Sequence, residues 1–196
     1  MKNQLFLVLS LLVFEMSFSQ TGSDKKGTPG IVAGWNSATV GVKDSDVSAD
    51  PASGFYVGIL WEQKLAPLFR LQSGIKYNKN GYTYGNIPGY DRTVLNYLSV
   101  PLALKVKVGP IYGIGGVYGA YRMGSVDKYS NGNDIKISTD DIKRMDFGGS
   151  VGLGFQILII GIEARYNFGL SNVNAGEVGK YNNRYLELGA HVKLGK

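Results

Sequence analysis

Apolar and polar residues alternate along most of the chain. Over 184–195, Leu186, Leu188, Ala190, Val192 and Leu194 share one parity, and Tyr185, Glu187, Gly189, His191 and Lys193 the other. A period of two marks a β-strand with one apolar and one polar face. The pattern recurs over 96–108, where Leu98, Val100, Leu102, Leu104, Val106 and Val108 oppose Tyr97, Ser99, Pro101, Ala103, Lys105 and Lys107. Over 158–170, Ile160, Ile162, Ala164, Tyr166 and Phe168 oppose Gly161, Glu163, Arg165 and Asn167. Phe147, Val151, Leu153 and Phe155 likewise oppose Gly148, Ser150, Gly152, Gly154 and Gln156. Two further strands set Phe55, Val57, Ile59 and Trp61 against Tyr56, Gly58, Leu60 and Glu62, and Phe69, Leu71 and Ile75 against Arg70, Gln72, Gly74 and Lys76.

The pattern predicts strands over 30–42, 54–64, 69–78, 96–108, 110–123, 145–156, 158–170 and 184–195. That is an even number of segments of about ten residues, as a closed up-and-down barrel requires. Connections alternate in length. Residues 43–53, 79–95, 124–144 and 171–183 are long and rich in Asp, Asn, Ser and Gly, whereas 65–68 and the junctions at Gly109-Pro110 and Ile157 are short. Long loops on one rim and tight turns on the other predict an eight-stranded antiparallel transmembrane β-barrel, long loops outside the cell and turns in the periplasm. The apolar faces then meet lipid, so Leu102→Arg or Leu188→Arg is expected to do more damage than the lumen-side Ser99→Arg. In the fifth strand parity is ambiguous. Tyr112, Ile114, Tyr118 and Ala120 are assigned outward, because the alternative turns Gly113, Gly115 and Gly119 to lipid. Trp61, Phe69 and Phe155 by the turns, and Phe55, Tyr77, Phe147 and Phe168 by the loops, are expected to form two interfacial girdles.

The N-terminus supports export. Lys2, the apolar run from Leu5 to Phe14 and the small-x-small sequence Ser17-Phe18-Ser19 read as a secretory signal over residues 1–19, leaving a barrel domain over 20–196. The run is too short to cross a bilayer as a helix, and no later segment approaches the roughly 20 apolar residues needed. Insertion must therefore be through strands. Cysteine is absent, which removes disulfides, thiolate metal sites and a lipid-anchor cysteine. The 28 glycines and 13 tyrosines fit crowded lumens and interfacial rings. The net charge of +6 is spread along the chain without a basic cluster, so no nucleic-acid partner is expected.

Chemistry, if any, lies on the inward faces. An eight-stranded barrel is only wide enough to be filled by side chains, and charges within it must be paired or hydrated. Lys76 and Lys107 point inward by parity, as do Glu62, Arg70, Lys105, Glu163, Arg165, Glu187, His191 and Lys193. The last eight are expected to form a structural charge network that plugs the bore, with Glu163, Arg165 and Glu187 as its centre by strand adjacency. A narrow polar channel is the alternative. His191 is the only histidine, and no thiol or GxSxG elbow accompanies it, so no catalytic residue is assigned. The run Asp127-Lys128-Tyr129-Ser130-Asn131-Gly132 echoes a calcium loop, but Tyr129 and Ser138 stand where ligands belong, and an Asn-Gly turn explains it. No metal or cofactor is expected.

Beyond the patterning, several segments resemble a known family. Gly30-Ile31-Val32-Ala33-Gly34-Trp35-Asn36, Asn96-Tyr97-Leu98-Ser99-Val100-Pro101-Leu102 and Glu163-Ala164-Arg165-Tyr166-Asn167-Phe168-Gly169-Leu170 resemble the PorT-family or porin-family outer-membrane barrels of Bacteroidetes. The end, Leu194-Gly195-Lys196, departs from the aromatic residue usual there. The resemblance implies a barrel in the cell outer membrane, in contact with lipid and with other envelope or secretion proteins. The function expected is non-enzymatic: surface interaction, envelope integrity or secretion support. The alternatives are a narrow porin-type channel and a soluble lipocalin-like carrier or barrel enzyme.

Overall fold

The computed structural model describes residues 27–43, 50–83, 90–129, 134–136, 144–170 and 180–195. The predicted signal segment, and Ser130 to Gly132 and Ser138 of the calcium-like run, lie outside the described residues. The strands are β1 (Thr28–Lys43), β2 (Asp50–Lys64), β3 (Phe69–Thr83), β4 (Tyr90–Val108), β5 (Ile111–Tyr129), β6 (Asp134–Lys136), β7 (Met145–Ile157), β8 (Ile160–Gly169) and β9 (Lys180–Lys193). All pairings are antiparallel, and β4 pairs with β5 to complete the ring β1-β2-β3-β4-β5-β7-β8-β9. β1 and β9 close it, from Gly30 opposite Lys193 to Lys43 opposite Lys180. The result is the closed eight-stranded barrel that the alternation predicts. The short β6 lies outside the ring, folding back on Val126 to Lys128 at the far end of β5.

The strands outrun the alternation at the loop end. β4 and β5 are 19 residues each, against 10 for β8. Antiparallel pairing continues past the last apolar position, with Thr93 opposite Asp127 and Tyr82 opposite Thr93. A backbone ladder needs no apolar parity, and the register shift between Asn96 and Tyr97 interrupts the alternation at that point.

The turns are tight. Gly109 takes a φ of +61° before Pro110, the positive-φ first position that a two-residue hairpin requires. Leu158 holds the same place between β7 and β8 with a φ of +52°. A leucine there is strained.

Burial separates the two faces. Ile59, Leu153 and Ile162 on the outside are 60–68% exposed, while Lys105, Tyr112 and Glu187 on the inside are 0–2% exposed. No charged residue interrupts the described outward face between the turns and the level of Lys79 on β3 and Arg184 on β9. Such a surface is stable only against hydrocarbon. Trp61, Phe69 and Phe155 stand at its turn-side margin, and Phe55, Tyr77, Phe147 and Phe168 at its loop-side margin.

β5 faces the opposite way to the expectation. Tyr112, Ile114, Tyr118 and Ala120 point inward and are buried, and Gly113, Gly115 and Gly119 lie on the outward face with Ile111 and Val117. Directly opposed residues share a face, and Tyr118, Ile114 and Tyr112 oppose Pro101, Lys105 and Lys107 of β4. The neighbouring strand supplies the room: a Cβ at Gly154 would overlap the Tyr112 ring, and one at Gly148 would approach the Tyr118 ring to 2.5 Å. Outside, Phe147 covers Gly119, 3.4 Å from where a Cβ would stand. Ser99 is also tighter than a generic lumen position. It is buried, accepts from Asn78 Nδ2 at 3.1 Å, and donates to the Lys76 carbonyl at 3.3 Å.

Candidate functional site

The polar parities of the eight strands converge on the bore, where ten inward residues, Glu62, Arg70, Lys105, Lys193, Tyr112, Glu163, Arg165, Gln72, Lys76 and Glu187, meet in three groups. At the turn end, Glu62 of β2 accepts from Arg70 Nη1 at 3.3 Å, from Lys105 Nζ at 2.8 Å and from Lys193 Nζ. These partners come from β3, β4 and β9. Lys105 also lies 4.1 Å from the centre of the Tyr112 ring, a cation–π contact within a desolvated site.

Midway, Glu163 and Arg165 protrude from the same face of β8. Arg165 Nε and Nη2 both donate to Glu163 Oε1, at 2.9 and 2.6 Å, and Nη2 also donates to Gln72 Oε1 of β3 at 2.8 Å. Tyr112 donates to the other carboxylate oxygen of Glu163 at 2.9 Å. Tyr112 thus joins the turn-end group to this one, through its ring on one side and its hydroxyl on the other.

Nearer the loops, Lys76 of β3 donates to both oxygens of Glu187 of β9, at 2.8 and 2.7 Å. The ammonium stands 4.9 Å from the Tyr56 ring. Above it lie neutral pairs, Asn36 donating to Asn80 at 2.9 Å and Asn78 to Ser99, and the buried charges of Arg122 on β5 and Asp146 on β7.

All eight residues anticipated for the lumen network lie on the inward face, but the grouping differs from strand adjacency. Glu163 and Arg165 pair as adjacency suggests. Glu187 instead reaches Lys76, 111 positions away in the chain. Lys76, Gln72, Tyr56 and Tyr112 complete the groups. Parity places the first three inward but indicates no partner, and Tyr112 lies on the face opposite to the one expected. His191 packs against Tyr112 with ring centroids 6.3 Å apart, and its Nε2 has no partner. The environment is that of a filler side chain over Gly161, where a Cβ would overlap the imidazole. Among the described residues no set of three His, Cys, Asp or Glu gathers as a metal site.

This arrangement holds each of the carboxylates of Glu62, Glu163 and Glu187 against at least one cation within a closed bore. A closed antiparallel barrel with a charge-free lipid face and a filled polar lumen defines an outer-membrane β-barrel. The chain belongs to the outer membrane protein beta-barrel domain family, whose model matches residues 12–174. Among solved structures it is similar to Neisserial surface protein A (NspA), with a TM-score of 0.56 and 16% identity over 85% of this chain and 97% of that one. It is also similar to Ail, the attachment invasion locus protein of Yersinia pestis, with a TM-score of 0.51 and 14% identity over 86% of this chain and 99% of that one. A second structure of Ail, in complex with the heparin analogue sucrose octasulfate, gives a TM-score of 0.51 at 16% identity. At these identities the likeness is one of fold. No curated protein matches the sequence. The protein is thus an outer-membrane barrel in contact with membrane lipid.

Proposed function

We propose that the protein is a non-enzymatic barrel with a plugged bore, working through its loop side in surface interaction, envelope integrity or secretion support. The single observation that carries this reading is the interlocked lumen, in which Glu62, Glu163 and Glu187 are each held by cations and the aromatic rings of Tyr56 and Tyr112 fill the space between. A bore so occupied serves as a scaffold. The length of β4 and β5 supports action on the loop side, since about 9–11 residues suffice to cross a bilayer and these strands have 19. The resemblance of Asn96-Tyr97-Leu98-Ser99-Val100-Pro101-Leu102 to PorT-family barrels supports secretion support as one form of that role. Residues 1–19 act in this reading as a cleaved export signal.

A narrow channel is the second reading. Asn36 Oδ1, Asn78 Oδ1 and Asn167 Nδ2 are buried in the loop-side half without partners, as places where a file of water would bind. Planar-bilayer recording of the purified protein separates the two. The plugged barrel passes no steady current; steady single-channel steps would replace it with the channel.

A further inference from the structure

The lumen charges do not balance along its length. Glu187 is matched by Lys76 and Glu163 by Arg165. At the turn end, however, Arg70, Lys105 and Lys193 share the single carboxylate of Glu62. Lys107 adds a fourth cation. It follows Lys105 by two positions on the inward parity of β4, and its backbone is anchored by donation from its N–H to the Leu68 carbonyl at 2.8 Å. Lys193, Arg70 and Lys105 all repel it, and Glu62 is the attractive charge nearby. Lys64 stands at the same rim, directly opposite Arg70. Among the described residues, the turns at this end, 65–68, 109–110 and 158–159, contribute no carboxylate.

Like charges gathered beside low-dielectric walls focus a strong positive potential and draw counter-ions. The donors have the right form for more than a diffuse counter-ion. Arg70 spends one nitrogen on Glu62 at a long 3.3 Å, and its Nε has no partner. A part-exposed guanidinium held by one long bond, beside ammonium groups, is suited to an oxyanion that accepts several hydrogen bonds at once. We propose that the turn-side mouth of the barrel, formed by Arg70, Lys107 and Lys193 over Glu62, with Lys64 at its rim, binds a phosphate-type oxyanion. The source of the phosphate is either the free ion or a lipid headgroup.

The test uses the full mature chain, refolded in dodecyl maltoside and chloride buffer, with inorganic phosphate titrated by calorimetry. A single saturable site is expected, weakened at least tenfold in Arg70→Gln and in Lys107→Gln. Arg184→Gln removes an outward cation at the opposite end and leaves binding unchanged. Lys107 makes no ion pair with Glu62, so its variant retains the lumen core, and heat-modifiable gel migration checks that it folds. Absence of saturable binding overturns the site. So does binding that survives Lys107→Gln, or that falls equally in Arg184→Gln. With phosphatidic acid added to the micelles, displacement of phosphate by the lipid at lower concentration names the headgroup as the source; no displacement names the free ion.

Discussion

Lys76 and Glu187 meet across the bore as a two-pronged ion pair, the ammonium within 2.8 Å of both carboxylate oxygens and both side chains almost wholly buried. Removing one partner leaves the other charge stranded. Lys76→Met or Glu187→Gln alone is expected to cost about 3–5 kcal/mol, and the double variant Lys76→Met with Glu187→Leu much less. Urea unfolding from lipid vesicles, followed by the fluorescence of Trp35 and Trp61, measures both. A double variant that loses as much as the two single variants added together would show that the charges do not act as a pair.

Tyr112 occupies the place that a side chain on Gly154 would take. Gly154→Val is expected to cost about 1–3 kcal/mol through overpacking, and Tyr112→Leu in the same chain to recover part of it. Tyr112→Phe keeps the volume but removes the donor to Glu163, with an expected cost of about 1–3 kcal/mol for the orphaned carboxylate oxygen. The same unfolding assay orders these variants. A Gly154→Val barrel as stable as the parent would contradict the close packing.

Leu102 and Leu188 point outward near mid-strand. Leu102→Arg or Leu188→Arg is expected to cost roughly 2–4 kcal/mol at the bilayer midplane. Ser99→Arg is no mild control, because Ser99 is buried among Asn78 and the Lys76 backbone. The suitable control is Lys64→Ala, at an exposed rim position. Folding yield into vesicles, read by gel mobility without boiling, tests the contrast.

The alternation fixes the faces of some strands and leaves that of β5 open. In β4, β8 and β9 the apolar parity is unbroken and the faces follow from it. In β5 one parity is glycine-rich and the other aromatic, and both are plausible in lipid by themselves. The answer lies in β7, whose inward Gly148 and Gly154 leave room for Tyr118 and Tyr112. The lumen groups obey a similar rule. Two residues apart on one strand, Glu163 and Arg165 pair predictably. Lys76 and Glu187 lie on strands separated by β2 and β1, and they meet only because the stagger of the closed sheet brings them level.

Leu158 holds a left-handed backbone conformation in the β7–β8 turn. Relief of roughly 1–2 kcal/mol of strain outweighs the added entropy of a glycine. Leu158→Gly is therefore expected to raise stability by about 0.5–1 kcal/mol, seen as a higher midpoint in urea. A lower midpoint would mean that the exposed leucine contributes more through membrane contact than its conformation costs.

Orientation is open to labelling on whole cells. Cysteines at Asn131 or Asn174, in the long connections, should react with an impermeant maleimide, and one at Pro67, in the β2–β3 turn, should not. Reaction at Pro67 alone would invert the barrel. Mass spectrometry of the envelope protein complements this, with Gln20 expected as the first residue.

Three of the lumen contacts, Lys76 with Glu187, Lys193 with Glu62, and Arg165 with Gln72, join the two halves of the ring across the β1–β9 seam. Before that seam zips, the polar faces of the strands form an open trough whose charges lack these mates. Such a trough cannot rest in hydrocarbon. Passage into the bilayer and joining of the chain's two ends must therefore be one concerted event, or follow closure on a surface that shelters the trough. The last hydrogen-bonded pairing to form is then also the step that makes the barrel soluble in lipid.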